Sequence, residues 1–173
     1  MKKTILLLFT TISIIVSAQK NFEIGVHAGL PANDASENHT FNIALNLAYT
    51  KNMNENLKLG ITSGLSHFFD NKIGNDFSLV PIATKLKYQF NKLPIFADLD
   101  LGYAFSLNNT FKGGLYSFPK VGYAFSKSEI FLGYQMMNSK YKFDYYDVPT
   151  ETIIKSNTSF NFGSIALGYN FKF

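Results

Sequence analysis

The 173-residue sequence contains no cysteine, no tryptophan and no arginine. Without cysteine there is no disulfide framework, no thiolate metal site, no thiol nucleophile and no lipid-attachment cysteine. Without arginine the forked guanidinium that reads base edges or clamps phosphates is missing, so nucleic-acid recognition is not expected. Charge is scarce as well: 16% of residues are charged and the formal net charge is +4, where about 25% charged is usual for soluble domains. What the chain has in abundance is aromatic rings, 18 Phe and 10 Tyr. So many rings in a weakly charged chain need either a large core or a non-aqueous outer surface.

The first 18 residues read MKKTILLLFTTISIIVSA. Two lysines, an apolar run from Ile5 to Val16 and the small pair Ser17-Ala18 follow the order of a secretory signal peptide, and the run is too short to span a bilayer as a helix. Cleavage is expected after Ala18, leaving 19–173 as one domain. Losing Lys2 and Lys3 lowers the net charge of +4 by two. After residue 18 no 18-residue apolar run occurs, which excludes a helical membrane protein but not a β-barrel, whose strands alternate.

From Phe22 onward the dominant period is two. Phe22, Ile24, Val26, Ala28 and Leu30 share one face, with Glu23, Gly25, His27 and Gly29 on the other. The pattern recurs over 41–50, 57–69, 80–90, 95–105, 115–125, 129–136 and 164–173, which makes eight strands. Connections 51–56, 91–94 and 126–127 are short, whereas 31–39, 70–76, 107–113 and 139–158 are longer. Sorting of loop lengths by parity predicts an eight-stranded antiparallel up-and-down transmembrane β-barrel with both termini on the short-turn side.

The face opposite the apolar one is mostly Gly, Ala, Ser, Asn and Thr, too small and uncharged for a solvated exterior. Small polar residues suit the crowded inside of a narrow barrel, so the apolar face is expected to look outward. Tyr49, Tyr88, Phe90, Phe125, Phe171 and Phe173 fall beside the short turns, where an aromatic girdle meets a membrane interface. If Phe90 lies opposite Ile95 across the turn 91–94, Lys87 faces Asp98 and Lys85 faces Asp100, and each pair is expected to neutralise in the interior.

The chain resembles the small outer-membrane β-barrel proteins, the OmpA-like and OmpX-like group also described as a porin family. The resemblance covers residues 20–173 and rests on the leader, LVPIATKLKYQF with IFADLDLGYAF, YSFPKVGYAFS and the ending SIALGYNFKF. It implies a location in the outer membrane, contact with its lipid, and a C-terminal assembly signal in Leu167, Tyr169, Phe171 and Phe173 that the barrel assembly machinery recognises. Eight strands leave no open aqueous lumen, a departure from the larger porins.

No catalytic, cofactor or metal set is expected. His27 reads as inward, His39 as a loop residue and His67 as outward, at no metal-ligand spacing. Some barrel enzymes that deacylate lipid A use a His and a Ser near the outer leaflet, but Ser66 points to the other face from His67, Ser63 is four residues away and no carboxylate is paired by sequence. His67 is read as a girdle residue. The segment 139–158 interleaves Tyr141, Phe143, Tyr145 and Tyr146 with Lys140, Lys142, Asp144 and Asp147, and Asp147-Val148-Pro149-Thr150 reads as a turn, so the seventh and eighth strands either continue as a hairpin above the membrane or their aromatics pack against the barrel mouth. Such Tyr-rich, mixed-charge surfaces suit contact with a protein or glycan. The expected role is therefore structural or surface-interacting, without catalysis. A narrow channel or transporter for small solutes is the alternative, followed by a lipid-modifying barrel enzyme that His67→Ala would inactivate.

Overall fold

In the computed structural model the described residues are 21–37, 39–70, 76–107, 113–147 and 152–173, with side chains described outside 140–158. The expected signal peptide, 1–18, lies outside them. Eight strands follow in order: β1 (Phe22–Asn33), β2 (His39–Asn52), β3 (Leu57–Asp70), β4 (Phe77–Gln89), β5 (Ile95–Ser106), β6 (Gly113–Ala124), β7 (Ser128–Asp147) and β8 (Thr152–Lys172). Each pairs antiparallel with its neighbours, and β1 pairs with β8, so the sheet closes into a barrel whose wall has no free lateral edge.

One connection differs from the sequence reading. Residues expected as a loop from 31 continue β1 to Asn33 and then make a short 3-10 turn, Asp34–Glu37, with Ala35 fully buried. In the 139–158 segment the described backbone is strand over 139–147 and 152–158, the hairpin reading of that segment. β7 and β8 are 20 and 21 residues long, against 12 to 14 for the others. β6 pairs with β7 up to Asn138, and β1 with β8 up to Phe162. Beyond those positions β7 and β8 pair with each other from Ser139↔Phe160 to Asp147↔Thr152. At about 3.3 Å per residue the hairpin runs roughly 25–30 Å along its strands beyond the last flanking pairs.

The faces follow the alternation. Ile24, Val26, Ile43, Leu45, Leu47, Leu101, Leu132 and Leu167 are exposed on the outside. Inside, His27, Asn42, Ala44, Ala48, Thr62, Ser66, Ala83, Ala166 and Ser164 are buried. The small inward residues have a packing reason: four rings, Phe68, Phe96, Phe118 and Phe131, also point inward and are almost wholly buried. Each needs a neighbour that yields space. A Cβ on Gly133 would stand 2.6 Å from the Phe118 ring, one on Gly122 would stand 2.6 Å from Phe96, and one on Gly168 would collide with Phe131. Gly133→Ala is therefore expected to overpack the interior and cost about 1–3 kcal/mol, measured as a lower urea midpoint for the protein refolded in detergent. An unchanged midpoint would mean that the ring has room to move.

Candidate functional site

The interior is built in layers. At the end near the termini, Lys87 Nζ lies 3.0 Å from Glu23 and 2.5 Å from Glu129, and Lys172 reaches Glu129 at 3.1 Å. Asn170 donates to Glu129 at 3.2 Å. Two lysines and two glutamates thus balance.

The next layer holds Lys85, Lys120, Asp98 and Asp100. Lys85 lies 2.5 Å from Asp98 and 3.2 Å from Asp100; Lys120 lies 2.5 Å from Asp100 and 3.3 Å from Asp98. All four side chains are at most 5% exposed. Each cation touches both anions, so the layer is neutral as a unit rather than as two pairs. The Lys120 ammonium also sits 4.7 Å from the Phe118 ring centre, and Lys87 lies 4.7 Å from that of Phe96. The negative ring faces add to the neutralisation of cations held away from water.

The register places Lys85 opposite Asp100 and Lys87 opposite Asp98, the arrangement set by the turn 91–94. The expected Lys87–Asp98 ion pair is corrected, however. Lys87 pairs across the barrel with Glu23 of β1 and Glu129 of β7, while Asp98 is held by Lys85 and Lys120. Side chains as long as lysine reach diagonally and across a narrow lumen, so direct opposition on one face does not decide the partner. Alternation alone puts Lys120, Glu23 and Glu129 on inward faces but gives them no partner. The signal was there in the charge balance, since three inward acids had to be matched beyond Asp98.

A cavity of about 10 Å³ lies among Glu23, Asn46, Lys85, Asp100, Lys120 and Asn170, room for one water at most. Above it His27 bonds Asn46 at 2.9 Å and packs against Phe118, with ring centres 5.0 Å apart. Next come Asn42, Ser66, Gln135 and Ser164, linked by hydrogen bonds of 3.3 Å between Asn42, Ser66 and Gln135, and by one from Ser164 to Asn42. The far mouth is filled by rings: Phe68 stacks on Phe77 at 4.6 Å, and Phe77 contacts His39 at 4.8 Å and Phe162 at 5.1 Å. His39 is fixed to the Ala35 carbonyl by a 3.1 Å contact of Nδ1, which ties the 3-10 turn over the mouth. Among the described residues, then, the lumen is a packed core of matched charges, polar bridges and rings.

Outside, aromatic residues collect at two levels. Near the termini, Phe22 meets Tyr49, Tyr88 meets Phe90, Tyr123 meets Phe125 and Phe171 meets Phe173, with ring centres 5.0–5.3 Å apart. Toward the other rim, Phe41 stacks on Phe69 at 4.3 Å and Tyr103 meets Phe105 at 4.9 Å. Between the two levels the outward side chains are mainly Leu, Ile and Val.

Leu167, Tyr169, Phe171 and Phe173 all face outward on the closing strand. Tyr169 shares a 2.6 Å hydrogen bond with Ser128 of β7, and at the β8–β1 seam the Phe173 amide donates to the Phe22 carbonyl at 3.0 Å. Tyr141, Phe143, Tyr145 and Tyr146 lie on the β7 arm of the hairpin, opposite Thr158, Ser156, Ile154 and Ile153. Their side chains lie outside the described residues.

No family model matches the chain and no curated protein matches it. Among solved structures it is similar to Neisserial surface protein A, with a TM-score of 0.51 and 18% identity, covering 88% of this chain and 97% of that one. The outer membrane protein Ail of Yersinia pestis aligns with a TM-score of 0.48 and 14% identity, covering 87% of this chain and 99% of that one. OprG of Pseudomonas aeruginosa aligns with a TM-score of 0.45 and 12% identity, covering 90% of this chain and 98% of that one. The fold is that of a small outer-membrane β-barrel.

Proposed function

We propose, from the fold shared with small outer-membrane barrels, that this protein is an outer-membrane barrel with a structural or surface-interaction role carried by its projecting hairpin. The observation that carries the reading is the pairing of a continuous apolar exterior, bounded by two aromatic levels, with an interior in which every described ion-pair layer is balanced. An exterior of that kind is stable in hydrocarbon and a liability in water. Export by a signal peptide at 1–18 and handling by the assembly machinery through Leu167, Tyr169, Phe171 and Phe173 belong to the same proposal. The role needs no catalysis, cofactor or metal.

The hairpin supports the interaction half of the reading. Above the barrel rim β7 and β8 pair with each other alone among the described residues, so each arm presents a backbone edge able to accept a strand from a protein partner. Replacing residues 140–158 by a four-residue turn is expected to leave the barrel folded and abolish capture of the partner from intact cell surfaces. Retained capture by the shortened barrel would move the contact to another loop. The balanced interior argues against the channel alternative. In planar bilayers the purified protein is expected to give no discrete conductance steps, whereas steps altered by neutralising Lys85 and Asp100 would establish a wet path through the charge layer.

A further inference from the structure

On the outward side of the rim far from the termini, His67 of β3 and Ser78 of β4 are direct cross-strand partners. Ser78 Oγ lies 2.8 Å from His67 Nδ1. The other imidazole nitrogen, Nε2, faces Asp76 Oδ2 at 3.7 Å, and the Asp76 carboxylate is itself held where its Oδ1 accepts the Asp70 amide at 2.8 Å. The geometry accommodates the tautomer in which Ser78 donates to Nδ1 and the ring proton sits on Nε2, toward the carboxylate. The ring also stands edge-on to Phe69 at 4.5 Å, and Phe69 stacks on Phe41. His67 and Asp76 are 32% and 49% exposed, so the group is reachable from outside the barrel. Ser66, adjacent to His67 in the sequence, is buried in the lumen, and the serine that meets His67 comes from the next strand. A girdle histidine requires only an interface, but a serine on one nitrogen and a carboxylate facing the other form the order hydroxyl, imidazole, acid that activates an oxygen nucleophile.

We propose that Ser78, His67 and Asp76 form a hydrolytic triad acting on acyl esters of membrane amphiphiles, an activity added to the surface role and resting on the membrane placement of the barrel. Ser78 Oγ attacks the ester carbonyl carbon as its proton passes to His67 Nδ1. The carbonyl carbon's bond to the leaving alkoxy oxygen breaks, and that oxygen takes the proton from Nδ1. Water then attacks the acyl-serine by the same route, releasing the carboxylic acid and restoring the Ser78 hydroxyl. Asp76 stabilises the imidazolium formed in each half. Phe41 and Phe69 offer an apolar surface beside the nucleophile, which suits a long acyl chain.

The test uses the full-length protein folded in detergent micelles, with p-nitrophenyl palmitate as substrate, a fluorophosphonate as a serine-directed label, and the mobility shift on boiling as the check of folding. Expected are turnover and labelling by the wild type, loss of both in Ser78→Ala, a fall in turnover of about 10²-fold or more in His67→Ala, and a lower kcat with unchanged KM in Asp76→Asn, all with the shift retained. A folded wild type that neither labels nor turns over would overturn the triad and leave the barrel reading standing, as would a Ser78→Ala variant with wild-type turnover. A wild type lacking the shift would contradict the barrel reading and the triad with it.

Discussion

Asp98→Ala is expected to destabilise the folded barrel by about 3–5 kcal/mol, the range for breaking a buried ion pair by removing one partner. Asp98 is fully buried between Lys85 at 2.5 Å and Lys120 at 3.3 Å. Its loss leaves two ammonium groups sharing Asp100 alone, with an uncompensated positive charge in a lumen that offers it little water. The informative comparison is with double variants. Adding Lys120→Met to Asp98→Ala restores neutrality in that layer and should recover a large part of the loss, because no buried charge is better tolerated than one without a partner. Adding Lys87→Ala should recover nothing, since Lys87 is engaged by Glu23 and Glu129 and its removal exposes a second imbalance. Urea titrations of the refolded protein, followed by the compact band on unboiled gels, measure all three. Rescue by Lys87→Ala rather than by Lys120→Met would mean that Lys87 and Asp98, opposite each other in the register, are the true ion pair.

The second large effect lies on the outer face. Leu45 is half-exposed near the middle of β2, opposite Val26 on one side and Leu65 on the other. Leu45→Arg is expected to cost about 2–4 kcal/mol in a bilayer, the penalty for a cation at the midplane of a lipid-facing strand. The same substitution at Leu59, close to the short-turn rim and also exposed, should cost about 0–1 kcal/mol. Depth dependence is the signature of hydrocarbon. In a protein surrounded by water both substitutions would replace an exposed leucine by an exposed arginine, and neither would destabilise. Equal, small effects at the two positions in lipid vesicles would show that the outward face does not meet the bilayer core.

Much of the architecture was legible because an eight-stranded barrel writes itself in a period of two. Each strand has one face against lipid-like apolar neighbours and one against a crowded lumen, so alternation alone separated Leu45 and Leu47 from Ala44 and Asn46. The short turn 91–94 fixed a register in which Lys85 faces Asp100, since Phe90 donates to the Ile95 carbonyl at 3.0 Å. The cross-barrel contacts were not legible in the same way. Glu23 on β1, Lys87 on β4 and Glu129 on β7 meet only once the sheet has closed, and the stagger of closure is a property of all eight strands together. His67 and Ser78 illustrate a second limit. They are neighbours across a longer connection, and a connection of that length does not dictate which residues of β3 and β4 stand opposite each other. The extended hairpin was suggested by Tyr141, Phe143 and Tyr145 at alternate positions around a turn at Asp147 to Thr150. Whether such a pattern pairs above the rim depends on β7 and β8 supporting each other without flanking strands.

The central claim is that the apolar face looks outward into a membrane. Its most direct test is the electrophoretic mobility, with and without boiling, of the protein extracted from outer membranes in mild detergent. A compact band that migrates fast before boiling and slows after it is expected, because a closed barrel resists detergent until heated. A band insensitive to heat, with the protein recovered mainly from the soluble periplasmic fraction, would contradict the account.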